Sequence, residues 1–208
     1  MTPSGFCTIK CGGSLLDQPD LAARLLALID MAKVTSAVVI VGGGSTVDVV
    51  RDWDRRFHLS ARDAHRLAIH AMSLNARLLA TLHERFVLVS HIRELSLVRD
   101  GQVAVPDVAS VLNELEQTHS ALPASWDVTS DSIAAWFATV CDSAELLLLK
   151  SVDLPPAIPP DATAVQHLVE RSLVDPYFAQ AASRLSTLRW CNLSSSRPVI
   201  CSVLSPMG

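Results

Sequence analysis

No stretch of this 208-residue chain is apolar over the length that a bilayer crossing needs. The longest candidates, Ala37–Val41 and Leu146–Leu149, are strand-sized. The opening MTPSGFC lacks a basic segment and a following apolar run, so no secretion signal is expected. Paired cysteine spacing is missing too. Cys7, Cys11, Cys141, Cys191 and Cys201 form no C-x-x-C, so no metal site is expected, and an odd set of thiols beside apolar stretches fits a reduced, cytoplasmic protein. A basic footprint is also absent. Lys and Arg are scattered and the net charge is −4, so neither nucleic acid nor a membrane is an expected partner. Only 18% of residues are charged against 50% hydrophobic, which excludes a disordered chain. The spacings G-x-x-x-x-G-K-[ST], G-x-G-x-x-G and G-x-S-x-G do not occur, so P-loop, dinucleotide and serine-hydrolase chemistry lose their sequence support.

What is present is an alternation of strands and helices. Phe6–Lys10, Ala37–Val41, Phe86–Val89, Gln102–Val105 and Glu145–Leu149 read as strands. Leu21, Leu25, Leu28, Ile29 and Ala32 share a helical face. Ser45–Asp48 and Ser60–Asp63 look like capping boxes opening two helices. The second helix is long, with Ala64, Leu67, Ala68, Ala71, Leu74, Leu78 and Leu82 as its expected core face. Asp107–Glu116, Asp131–Val140 and Thr163–Glu170 read as further helices, and Asp175-Pro176 as the start of another. Four prolines make 154–161 a stiff connection. Thr187–Asn192 and Val199–Leu204 suit an antiparallel pair. The expectation is an α/β fold: a three-layer αβα sandwich with a mostly parallel central sheet and an antiparallel C-terminal pair.

Ligands of such sheets bind beyond the carboxyl ends of the strands, where two glycine turns fall. Lys10-Cys11-Gly12-Gly13-Ser14 follows the first strand. Its bare backbone can cradle phosphate oxygens while Lys10 adds a charge, although a tight turn with a surface lysine would read the same way. Gly42-Gly43-Gly44-Ser45 follows the second strand. Three glycines cost entropy, and a backbone kept bare for a ligand explains them better than a turn. Asp131 opens a helix, as a capping acid or a site residue. Lys150-Ser151-Val152-Asp153 follows the Leu-rich strand. His65 and His70 are spaced five apart and read as ordinary helix histidines. Trp53, Trp126, Trp136 and Trp190 read as core or loop anchors. Arg51, Arg55, Arg56, Arg62 and Arg66 could meet an anionic acceptor, and Asn75 reads as either a core amide or a substrate contact.

K-x-G-G-S, a hydrophobic strand ending in G-G-G, a T-S-D-x-x-A helix and a Leu-rich strand ending in V-D together resemble the amino acid kinase family over Phe6–Asp153. Among its branches the chain is most similar to the aminomethylfuran-phosphate kinases of methanofuran-type cofactor synthesis. The resemblance implies ATP-dependent phosphoryl transfer, with ATP and Mg2+, to a small anionic acceptor such as a phosphate ester. It implies Lys10 as the lysine bridging donor and acceptor, Asp131 as its orienting acid, and Gly12, Gly13, Ser14, Ser151 and Asp153 on the nucleotide side. Gly42, Gly43, Gly44, Arg62 and Asn75 fall on the acceptor side. It further implies one domain over 1–208, with an acceptor-side lobe (1–122) and a shortened nucleotide-side lobe (123–208), and a homo-oligomer, a dimer.

The chain departs from the family pattern in its second half, which is shorter than in longer members and reads Lys150-Ser151 where members usually carry Thr-Asp. Where many members carry G-G-M-x-x-K, it reads Val174-Asp175-Pro176-Tyr177-Phe178. Lys150 is the lysine left to supply the second charge, since the chain has only Lys10, Lys33 and Lys150. Lys150 is therefore expected to act with Lys10 and Asp131. The competing expectation is a non-catalytic relative that binds a metabolite or nucleotide as a regulator or partner subunit.

Overall fold

The structure is a computed structural model describing residues 5–143, 145–156, 158, 161 and 163–205. Residues 1–4, part of the stretch read for a secretion signal, and residues 157, 159 and 160 of the proline-rich connection lie outside these. Seven strands form one sheet: β1 (Cys7–Cys11), β2 (Ala37–Val41), β3 (Phe86–Val89), β4 (Val103–Pro106), β5 (Glu145–Lys150), β6 (Leu188–Asn192) and β7 (Ile200–Leu204). Their order is β3-β4-β2-β1-β5-β6-β7. Every pairing is parallel except β6 with β7. The continuous apolar runs AVVIV of β2 and LLLL within β5 suit strands covered on both faces.

The helices are α1 (Leu21–Met31), α2 (Gly44–Phe57), α3 (Ala61–Leu82), α4 (Val108–Leu115), α5 (Ser130–Val140), α6 (Ala164–Glu170) and α7 (Phe178–Ala181). Two cores result, one on each face of the sheet. On one face Cys7, Ile9, Leu147 and Leu149 pack with Leu21, Leu25 and Leu28 of α1. On the other, Phe6, Leu146 and Leu148 pack with Ile133, Phe137 and Ala138 of α5. The period of two therefore assigns faces. Lys10 and Lys150, at even positions with Leu146 and Leu148, stand on the α5 face, and the register Lys10↔Leu148 places them two residues apart along adjacent strands.

The structure corrects three local expectations. The buried face of α3 is Ala64, Ala71, Met72, Ser73, Asn75, Ala76 and Leu79. Leu67, Leu74, Leu78 and Leu82 are exposed. Small side chains let α3 approach α2 closely, and Ser73 and Asn75 are buried because each has a polar partner, Asp107 and the Gly42–Gly43 carbonyls. The box at Ser45–Asp48 does not form: α2 is capped by Gly43 with no side-chain bond, Thr46 Oγ1 donates to Asn75 Oδ1 and Asp48 pairs with Arg51. Asp175 does not open a helix; α7 begins at Phe178, and the Asp175 carboxylate caps α5 instead. Ser60 does cap α3, accepting from the Asp63 amide.

Candidate active site

The site lies at the carboxyl ends of β1 and β5, where the chain, having built one side of the sheet, returns to the centre to build the other. Lys10 is the penultimate residue of β1, Lys150 ends β5, and Asp131 sits in the first turn of α5 between them. Asp131 Oδ2 accepts from Lys150 Nζ at 2.7 Å, and Oδ1 lies 2.9 Å from Lys10 Nζ. The three side chains are nearly closed to solvent, at 8%, 13% and 5% exposure for Asp131, Lys150 and Lys10.

The two contacts differ in kind. Lys150 makes a directed bond to Asp131, a second to Leu173 O at 2.8 Å, and lies 5.5 Å from the centre of the Trp190 ring. Lys10 pairs with Oδ1 off the hydrogen-bonding direction, so Oδ1 has no hydrogen-bond donor among the described residues. Burial would raise the Asp131 pKa, but Lys10 and Lys150 overcome it and hold the carboxyl below its ordinary value. Burial first, then repulsion from Lys10, pushes Lys150 down to about 8, against the pull of Asp131 and Asp175. Two buried ammonium groups share the Asp131 carboxylate, and a cavity opens in front of Lys10. That arrangement suits an incoming anionic group.

The glycine turns interlock, which corrects the reading that they are bare only for a ligand. A Cβ on Gly13 would lie 2.0 Å from Gly44 N, and one on Gly44, whose φ is +51°, 2.5 Å from Gly13 O. The residues are glycine because the two backbones touch. Gly12 N–H is already donated to Leu149 O at 2.9 Å and Gly42 N–H to Cys11 O at 2.8 Å, so neither amide is free for a phosphate. The Gly13 and Ser14 amides have no partner among the described residues. The first turn of α2 opens beside them.

Asn75 is placed behind the loop. Its Nδ2 donates to the Gly42 and Gly43 carbonyls at 2.8 and 2.7 Å while Oδ1 accepts from Thr46. Both donors are used on the backbone, so Asn75 holds the turn and reaches a substrate only through it. Arg62 is exposed and lies away from the cavity wall. Ser151 shares a hydrogen bond with Ser14 at 3.1 Å, and Asp153 accepts from Asn192 at 3.0 Å; both are exposed in the loop after β5.

The cavity encloses about 190 Å³, below the ~300–1,000 Å³ of drug-sized pockets. Beyond Lys10, Gly13, Gly43 and Gly44 its wall is partly apolar, from Val47, Ile69, Met72 and Ile133. Arg51, one of five arginines named for the acceptor, is on this wall, while Trp126 and His65 were read as an anchor and an ordinary helix histidine. Trp126 lines the cavity, with Nε1 donating to Asp54 Oδ2 at 2.7 Å and the Arg51 guanidinium 5.1 Å from its ring centre. His65, read as an ordinary helix histidine, also faces it; burial lowers its pKa, opposed by a bond to the Ser125 backbone. The one usable signal was spacing: His65, Ala68 and Met72 fall on one helical face.

Residues 6–180 match the amino acid kinase family, and the chain belongs to it. It is 28% identical over 150 residues to a protein of Methanocaldococcus jannaschii named [5-(aminomethyl)furan-3-yl]methyl phosphate kinase. That match takes in 70% of this chain and 65% of the relative's length. The uridylate kinase of Archaeoglobus fulgidus shares the fold with a TM-score of 0.60 at 19% identity, covering 91% of this chain and 89% of that one. The UMP kinase of Ureaplasma parvum does so with a TM-score of 0.63 at 15% identity, covering 96% and 100%.

Proposed function

We propose that the protein is an ATP-dependent kinase of a small anionic acceptor, in which Lys10 and Lys150, both held by Asp131, neutralise the transferring phosphoryl group. The observation that carries this is the buried Lys10–Asp131–Lys150 cluster, with one carboxylate oxygen to each ammonium. Phosphoryl transfer needs positioning and charge neutralisation more than a protein nucleophile. ATP would supply the γ-phosphoryl group and bring Mg2+ with it. The free Gly13 and Ser14 amides would hold its phosphate end, with Ser151 and Asp153 on the nucleotide side. Lys150 takes the place of the second lysine of longer members, because it reaches the same carboxylate from β5.

The acceptor would lie between Gly43–Gly44 and Trp126. Arg51 is the cation on that wall and meets the acceptor's anionic end, while the Trp126 ring and Met72 suit a flat, weakly polar body. A phosphate ester of an aminomethylfuran fits this description, and the Methanocaldococcus relative's name supports it. An acceptor phosphate is already anionic near neutral pH, so no general base is required. The test is thermal shift with Mg-ATP, followed by turnover across a set of phosphate acceptors that includes an aminomethylfuran phosphate. A stabilised protein that turns over a phosphate ester is the expected result. No Mg-ATP shift would overturn the kinase reading in favour of a metabolite-binding relative, and turnover of free amino acids would overturn the acceptor class.

The same reading extends to assembly as a homodimer. Val49, Trp53 and Phe57 recur at every fourth position of α2 and are 48%, 42% and 64% exposed. Trp53 is thus a surface residue and not the core anchor expected of it. Leu67, Leu74 and Leu78 are exposed on α3, which packs against α2. Exposed apolar side chains on two helices packed together suit an interface, and a second copy is the occupant proposed. Wild type is expected to elute as a dimer by light scattering and a Phe57→Ser, Leu74→Ser double variant as a folded monomer. A monomeric wild type at micromolar concentration would refute it.

A further inference from the structure

One buried carboxylate has no place in the chemistry above. Asp175 is 7% exposed, in the segment where this chain departs from the lysine-bearing pattern. Its Oδ2 accepts from Thr129 N at 3.1 Å, Thr129 Oγ1 at 2.7 Å and Ser132 N at 3.0 Å, and its Oδ1 accepts from Ser132 Oγ. Thr129 is the N-cap of α5 and Ser132 is in its first turn, so these four bonds close around Asp131. Two residues before Asp175, Leu173 O accepts from Lys150 Nζ at 2.8 Å. Val174 and Phe178 are buried in the core and anchor the segment on both sides. One short stretch therefore holds both the helix end that carries Asp131 and the head of Lys150.

We propose that Asp175 is the positioning residue of the two-lysine site, fixing Asp131 through the first turn of α5 and Lys150 through the Leu173 carbonyl. A carboxylate suits this task for three reasons. It accepts four bonds at once, it satisfies helix-end donors that burial cuts off from water, and its charge complements the α5 dipole. The same charge acts on Lys150. The groups facing that ammonium are Lys10, which repels it, and Asp131 and Asp175, which attract it. A cap that acted on α5 alone, reaching Lys150 neither by its charge nor through the Leu173 carbonyl, would leave the Lys150 proton where it is once the fold is intact. A positioning residue would not.

The inference rests on the kinase reading only for its kinetic readout, so the test has two arms. With three lysines in the chain, labelled lysine signals can be titrated by NMR without turnover. In Asp175→Asn, close in shape but uncharged, the Lys150 midpoint is expected to move below its wild-type position near 8. In the kinetic arm kcat is expected to fall about 10–100-fold, the cost of a small misplacement of reacting groups, with the acceptor KM nearly unchanged and the alkaline limb of kcat displaced to lower pH. A folded Asp175→Asn whose Lys150 midpoint and kcat both match wild type would overturn the proposal. If that variant does not fold, Ser132→Ala removes one bond and keeps the charge. An unchanged kcat there, or, without turnover, an unchanged Lys150 signal, would overturn it equally. A moved Lys150 midpoint in the charge-preserving Ser132→Ala variant, in a protein that turns over no acceptor, sustains the positioning role and refutes the kinase reading alone.

Discussion

Lys10→Ala is expected to cut kcat by about 10²–10³-fold, the usual loss when one preorganised group that stabilises developing charge is removed. The expectation follows from geometry. Lys10 is buried at the end of a central strand, faces the cavity, and is paired with Asp131 at 2.9 Å without a directed bond. Its N–H groups are thus available to an incoming phosphoryl oxygen, whereas those of Lys150 are partly taken by Asp131 and Leu173 O. The same substitution should leave the fold intact, because Asp131 keeps Lys150 as its partner. Lys10 also repels Lys150, so its removal should raise the Lys150 pKa and move the alkaline limb of the residual activity to higher pH. Steady-state kinetics from pH 6 to 10 on wild type and variant would check both effects. Activity within about three-fold of wild type would remove Lys10 from the chemistry.

The legible part of this molecule was local. Strands β1 and β2 were readable because each is a short stretch that runs into glycines, whereas the face on which Lys10 stands came from the packing of the sheet. Lys150 was readable as the polar end of the Leu-rich strand, and the structure places it 2.7 Å from Asp131. What could not be read depends on partners distant in sequence. Asp175-Pro176 carries the local signature of a helix start, yet its four donors come from Thr129 and Ser132, 46 and 43 residues away. Trp126 and His65, and the choice of Arg51 among five candidate arginines, depend on a loop and two helices that form one wall only after folding. The face of α3 was misread because leucines outrank alanines on any hydropathy pattern, while the close approach of α2 selects the alanines. The glycines were located correctly for an incomplete reason: a single chain shows that a backbone is bare but not that another bare backbone lies against it.

Asp131→Asn should cost both activity and stability, and the stability loss should depend on pH in a defined direction. Asp131 is the anion between two buried ammonium groups. Removing one partner of a buried ion pair typically costs about 3–5 kcal/mol, because a charge is left unpaired away from water. Here one of the stranded charges can be shed. Lys150 already sits near 8 with Asp131 present, and loss of its attraction can only lower that value. A lysine whose folded pKa lies below its unfolded value weakens the fold most below the folded pKa, where both states are protonated. The penalty is relieved as pH rises toward the unfolded value, because the unfolded chain then binds more protons. The difference in unfolding free energy between wild type and Asp131→Asn should therefore be largest near pH 7 and smaller at pH 9. The buried cysteines, whose pKa values burial raises, titrate alike in both proteins and drop out of the difference. In the acid range the sign reverses: wild-type Asp131, held below its ordinary pKa, contributes stability above the unfolded carboxylate pKa and loses it as pH falls through the folded one. That contribution is absent from the variant, so the two curves should converge at low pH as well. Urea unfolding at pH 2.5, 7 and 9 tests this, and a destabilisation that is flat across the three values would mean that Asp131 does not hold the two lysines together.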